Sequence, residues 1–231
     1  MSTDGCDVVV VGTGAAGLTA ALGLAGAGRD VVLMSKTGVG GGSTAWAQGG
    51  LAAVIDPQDS VELHVHDTLE AGAGLCDPAT VADLVEAAPT AIDDLVRLGA
   101  RFDTEDDGRL ALALEGGHHA RRVVHAGGDA SGAEVSRTLT TAVAALVDQG
   151  RLRVVEDTIA VDAVRDIRGA VCGVSTLDRH GRHDVLAARA VVLATGGIGH
   201  LWDATTNPAT STGDGLALAL RAGAVVRDVE F

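Results

Sequence analysis

Apolar positions along this chain follow two rhythms, and the change from one to the other divides it. Residues 7–11, DVVVV, hold an unbroken β-branched run. A strand that is apolar at successive positions must be covered on both faces, as in a parallel sheet. Alanine and leucine then recur over residues 15–27 in a helical stretch that stops at Gly28, and VVLM at 31–34 is a second buried strand. Residues 38–50, GVGGGSTAWAQGG, are too glycine-rich for a packed element and predict a loop that lets backbone approach a ligand closely. SVELHVHDTLEAG at 60–72 predicts a helix. Asp77-Pro78 predicts the start of the next, with an Asp N-cap and Pro in the first helical position. Pro89 is expected to divide that region into two helices ending near Gly99, and GAEVSRTLTTAVAALVDQG at 132–150 is a further helix with a glycine stop.

From Arg151 the period shortens. LRVVED, TIAVDAVRD, GAVCGVSTLD and RHDVLAA predict short strands joined by turns, a β-meander over about residues 152–188. ARAVVLATGGIG returns to the buried-strand style, STGDGLALALRAGA predicts a short helix after a loop, and VVRDVEF reads as a strand broken off at Phe231. The expected fold class is α/β: a Rossmann-like domain over residues 1–231 with a parallel sheet, flanking helices and the meander inserted into it.

Composition narrows the class. The chain of 231 residues is 47% hydrophobic but only 2% aromatic, with no Tyr, so Val, Leu and Ala must build the core. A formal charge of −14 argues against nucleic acid, which requires a basic stripe. No apolar run is long enough to span a bilayer. MSTDGCD has neither a basic n-region nor a small-residue cleavage site, and Cys6, Cys76 and Cys172 are scattered without C-x-x-C spacing. Those features predict a soluble, cytoplasmic protein.

Candidate chemistry begins at GTGAAG. Gly12 allows the tight turn after the strand, Gly14 lets backbone reach a pyrophosphate, and Gly17 lets helix and strand pack closely. The phosphates would sit at the helix N-terminus, where unpaired N–H groups and the dipole favour negative charge. An acidic residue normally ends the second strand to hold ribose hydroxyls; here Ser35 and Lys36 stand there. Lys36 can be read as a partner for a 2′-phosphate, which suggests NADP, or as a solvated loop lysine. Two later glycine turns favour FAD: ATGGIG, with Gly196 and Gly197, and STGDG, with Asp214. A long cofactor lying across a sheet needs chain approaching from several places, and Asp214 can accept hydrogen bonds from ribityl hydroxyls. The alternative for Asp214 is an acid that only complements a helix dipole.

Taken in order, VVGTGAAG, LMSKTGVGGGSTAWAQGG, LEGGHHARRVVHA, ATGGIGHLWDATTNP and STGDG resemble the succinate dehydrogenase/fumarate reductase flavoprotein family, over the whole chain. Within it the likeness is to the members that oxidise L-aspartate to iminoaspartate for quinolinate and NAD biosynthesis. The resemblance implies bound FAD, with Thr13, Gly14, Ala15 and Ala16 on the diphosphate and Lys36 near the adenosine half. Ser43, Thr44, Ala45, Trp46, Ala47, Gln48, Gly49 and Gly50 would line the flavin and ribityl chain, Asp214 the ribityl chain, and Ala160 and Val161 would approach the adenine by backbone. Respiratory members carry a histidine, covalently bonded to flavin, where this chain has Ser43, so the flavin is expected to be held non-covalently.

Glu115 is the second discriminating residue. In the aspartate-oxidising members the matching glutamate faces the substrate ammonium, which in a closed pocket calls for a carboxylate partner. The bland reading pairs Glu115 with Arg121 or Arg122 on a surface turn. His64 and His66 have the wrong spacing for one helix face, and His118, His119 and His125 form no zinc pattern, so no metal site is expected. The resemblance further implies L-aspartate as substrate, oxygen or fumarate as electron acceptor and quinolinate synthase as a partner. It places the catalytic arginine, the carboxylate clamps, the capping domain and a C-terminal helical part beyond Phe231, so no catalytic acid or base is assigned within the chain. Two alternatives stand beside this expectation: a soluble fumarate reductase or succinate dehydrogenase-like flavoprotein, and an FAD-binding module without turnover.

Overall fold

The structure is a computed structural model that describes residues 5–229. Contacts divide the chain into two compact units: residues 1–45 with 139–231, and residues 46–138.

The first unit is built on a six-stranded sheet of order β6-β2-β1-β9-β8-β7. Its strands are β1 (Cys6–Val11), β2 (Val31–Met34), β6 (Arg153–Val155), β7 (Thr158–Arg165), β8 (Val171–Asp178) and β9 (His183–Leu193). β1 pairs in parallel with β2 on one side and β9 on the other, and β2 pairs in parallel with β6. Val9, Val10, Leu33 and Met34 are fully buried, as a sheet covered on both faces requires. α1 (Ala15–Gly26) packs on β1 and β2, and α5 (Asp214–Arg221) packs on β7. Leu218 of α5 joins Val9, Val32, Met34, Ala160 and Val174 in one apolar cluster.

The expected meander is present as the consecutive antiparallel strands β7, β8 and β9, continuous with the parallel part of the sheet. LRVVED supplies β6, which belongs to the parallel part of the sheet. RHDVLAA and ARAVVL are one strand, β9, antiparallel to β8 through its first half and parallel to β1 through its second. The overlap has a simple cause: a strand has two edges, and β9 uses one for the hairpin and the other for the Rossmann core. Among the described residues 225–229 there is no strand; the expected one at VVRDVEF also extends over residues 230 and 231, outside the described ones.

The second unit holds α2 (Val61–Ala71), α3 (Pro78–Arg97) and a small antiparallel sheet of order β3-β5-β4, with β3 Leu51–Ala52, β4 Leu112–Ala113 and β5 Val123–Val124. α4 (Ser131–Asp148) contains the boundary between the units. Asp77 caps α3 as expected, accepting from Thr80 N at 2.9 Å, with Pro78 in the first turn. Pro89 does not divide the region: α3 runs unbroken for 20 residues. Val81, Val85 and Ile92 lie on its buried face, on both sides of the proline, and burial of that one stripe holds the helix together across the missing N–H. Ile92 packs with Ala53, Phe102, Val124 and Ala126. Among the described residues no helix is long and apolar enough to cross a membrane.

Candidate functional site

The parallel strands β1, β2 and β9 end at Val11, Met34 and Leu193, and a cleft of about 400 Å³ opens where the chain leaves them. This is the point at which the connections diverge to opposite sides of β1, where open α/β sheets bind ligands. Gly12 has φ +114° and carries β1 into α1 in a conformation that L side chains rarely adopt. A Cβ there would collide with the Ala194 carbonyl, and one on Gly17 would collide with the Gly12 carbonyl. Both glycines are therefore obligatory for the approach of β9 and α1 to the end of β1. Gly14 precedes α1 without a side-chain cap, while Ala15 N donates to Thr44 Oγ1 at 2.9 Å. The Gly38–Gly42 region is held to the sheet by Glu156, whose Oε1 accepts from Val39 N at 2.9 Å. Thr13 and Ser35 are buried and share a hydroxyl hydrogen bond of 3.0 Å.

The structure brings Gly12, Thr13, Gly14, Ala15, Ala16, Lys36, Ser43, Thr44, Ala160, Gly196 and Asp214 onto one cleft. Gly17 faces the strand end, and Ala45, Val161 and Gly197 are not on the lining. Val161 instead gives its carbonyl to Arg221 Nη2 at 2.6 Å. Trp46 and the residues through Gly50 belong to the second unit, where Gly50 leads into β3 beneath Val123. Sequence reasoning missed Ser35, Thr158, Ile159, Thr195, Thr210 and Ser211, all of which line the cleft. Their signal was available in part: Ser35 directly follows β2, Thr158 and Ile159 begin β7 and Thr195 lies just past β9, whereas Thr210 and Ser211 lie in the loop before α5.

Lys36 and Asp214 lie together. Lys36 Nζ is 2.5 Å from Asp214 Oδ2 and 2.6 Å from Thr212 Oγ1, and Thr212 donates to the same Oδ2 at 2.8 Å. Burial alone would raise the Asp214 carboxyl, but the hydrogen bonds from Lys36 and Thr212 outweigh it and hold it below the usual carboxylate range. Asp214 is also in the first turn of α5. Ser43 Oγ lies 3.4 Å from Ser211 Oγ.

These features fit FAD. The glycine turn leaves backbone and an open helix N-terminus for a diphosphate, and hydroxyls and one carboxylate line the rest of the cleft for a polyol and ribose.

In the second unit Glu115 pairs with His125 Nε2 at 2.8 Å, not with either arginine. Arg121 reaches the Leu112 carbonyl, and Arg122 is entirely buried. The Arg122 guanidinium forms a two-point bond to Asp59, 2.8 Å at each contact, and a third to Asp67 at 2.7 Å, with both carboxylates 1% exposed. Asp67 also accepts from His119 Nδ1 at 2.6 Å and from His119 N at 3.0 Å. Burial would raise Asp67, but those donors hold its carboxyl far below the ordinary range. Burial would lower Arg122, yet its two carboxylates raise it. This network pins the 115–122 turn to α2. It could not be foreseen because its partners lie far apart in sequence and charged residues read by default as solvated.

Comparisons with known proteins agree with the cleft. A family model described as FAD binding domain matches residues 7–231. The L-aspartate oxidase of Streptomyces coelicolor is 53% identical over 229 residues, covering 97% of this chain and 39% of the relative. That of Mycobacterium tuberculosis H37Rv is 52% identical over 233 residues, covering 99% and 42%. Among solved structures, Mycobacterium smegmatis Sdh1 in complex with UQ1 superposes with a TM-score of 0.90 at 34% identity, covering 95% of this chain and 38% of that one. The E. coli quinol fumarate reductase FrdA with an E245Q mutation gives 0.89 at 32%, covering 96% and 37%. The chain thus spans about two-fifths of the length of these curated relatives.

Proposed function

This chain belongs to the FAD binding domain family, and on that premise we propose that it is the cofactor-holding part of an L-aspartate oxidase. The reading is carried by one observation: the cleft residues lie within a sequence that resembles L-aspartate oxidases along nearly all of its length. When bound, FAD supplies the two-electron acceptor that removes a hydride from the Cα of an amino acid. The chain's own residues do the holding. Backbone at Thr13–Ala16 and the N-terminus of α1 bind the diphosphate, with the helix dipole favouring its charge. Ala160 offers backbone to the adenine, and Asp214 accepts from the ribityl hydroxyls. Ser43, Thr44 and Ala45 serve the flavin end, and Gly196 and Gly197 keep the neighbouring turn free of side chains. Glu115 takes the substrate ammonium.

The whole enzyme would work in the cytoplasm, oxidising L-aspartate to iminoaspartate with oxygen or fumarate as acceptor and handing the product to quinolinate synthase. The length of the relatives that this chain does not span would supply the cap that excludes water and the groups that clamp both carboxylates. Ser43 has no ring nitrogen to alkylate, so the flavin is held without a covalent bond. Acid precipitation of the FAD-loaded protein should leave all the yellow colour in the supernatant. Flavin retained in the pellet, or NADP displacing FAD, would overturn the assignment.

A further inference from the structure

Lys36 stands where the resemblance calls for a cofactor contact, yet its ammonium is already engaged. It meets Asp214 Oδ2 at 2.5 Å and Thr212 Oγ1 at 2.6 Å. Among the described residues lining the cleft, Lys36 is the one Lys or Arg and Asp214 the one acid. The side-chain charge of the cleft therefore sums to zero. Both donors on Asp214 go to Oδ2, leaving Oδ1 without a partner among the described residues. We propose that Lys36 serves this site as the fixed counter-ion of Asp214 and does not neutralise the cofactor's phosphates.

The inference rests on FAD being the occupant. Asp214 offers its free oxygen to a polyol, but an unpaired carboxylate in the same cleft as a diphosphate would repel it, in a chain whose formal charge is already −14. Pairing with Lys36 removes that repulsion while keeping the acceptor. Thr212 fixes the geometry by holding both ions. The phosphate charge is then met by backbone N–H groups at α1. Because these are neutral donors, discrimination follows: the cleft offers no free cation to an additional phosphate, so an NADP-type 2′-phosphate gains nothing there. Lys36 is a positioning and specificity residue in this scheme.

A charge-removal double-mutant cycle on this 231-residue chain tests it, read by the change in FAD fluorescence on binding. Lys36→Met exposes Asp214 and should weaken FAD at least tenfold at about 0.05 M salt, with part of the loss recovered at about 0.5 M as the repulsion is screened. Asp214→Asn removes the charge while keeping an oxygen acceptor, and its own affinity is the reference for the cycle. The double variant Lys36→Met/Asp214→Asn should bind FAD within about threefold of Asp214→Asn. A double variant that falls below Asp214→Asn by as large a factor as Lys36→Met falls below the unaltered chain would overturn the proposal, because a phosphate-binding lysine is missed whether or not Asp214 is charged. Should Lys36→Met fail to melt cooperatively, the unaltered chain still decides: a compensated lysine predicts less than about threefold loss of FAD affinity over that salt range, and a steeper loss overturns it. Absence of any FAD binding by the unaltered chain would overturn the cofactor reading as well, an outcome distinct from a salt-sensitive or non-recovering one.

Discussion

Glu115 illustrates how much a single residue's surroundings change its reading. Aspartate and succinate share two carboxylates and differ by one ammonium, so discrimination needs a group that responds to that charge. In an enzyme carrying the remaining length of the relatives, Glu115→Gln should lower kcat/KM for L-aspartate at least tenfold, about 1.4 kcal/mol of transition-state stabilisation. Fumarate reduction, whose substrate has no amino group, should change far less. Equal losses in steady-state assays of the two reactions would make Glu115 a structural partner of His125, which it touches at 2.8 Å. The roles of Gly12 and Gly17 were legible from sequence because the missing Cβ is itself the message: a strand-to-helix turn has a fixed geometry and only glycine fits. The burial of Arg122 was not legible. Its partners Asp59 and Asp67 belong to the other side of a turn-rich stretch, and nothing local marks an arginine for the interior.

Elements were readable where their signals are local and unreadable where packing overrules them. The Asp77-Pro78 start of α3 depends on a cap and one ring, both within a few residues. The passage through Pro89 depends on the buried stripe Val81, Val85 and Ile92, which belongs to the tertiary structure. A proline there leaves the carbonyl four residues earlier, on Val85, without its helical donor. Pro89→Ala should restore that bond and raise stability by about 1 kcal/mol or more, less the entropy that proline removes from the unfolded chain. Thermal melting followed by circular dichroism checks the sign, and a lower Tm would mean that ring packing outweighs the missing hydrogen bond. The same divide explains β9. Its two halves looked like different strands because one carries the alternation of a half-covered hairpin and the other the continuous apolar run of a core strand.

For the whole molecule, fold class was legible since the strand–glycine–helix order and the late return of a continuous apolar run together specify a parallel sheet, whereas the division into two units left no mark in composition. Stability toward acid is a property of the assembled charges. The Arg137 guanidinium beside Glu134 holds that carboxyl at about 2, against an ordinary 4.5, and Asp67 lies lower still beneath its donors. A carboxyl depressed on folding stabilises the native state above its unfolded pKa and loses that contribution as pH falls through the folded one. Urea denaturation between pH 5 and pH 2 should therefore show a progressive fall in stability, with a shallower slope in Glu134→Gln; identical slopes would mean that the Glu134–Arg137 pair carries no net stabilisation. The pairing of Cys6 with Ala188 has one more consequence, in time. Within these 231 residues β1 is made first of the elements, well before its neighbour β9 and the cleft residue Leu218. Closing so long a loop is entropically costly and slow. The glycine turn after β1 therefore waits without its partners until α5 has been made, and flavin capture becomes a signal that the nascent chain has reached that helix.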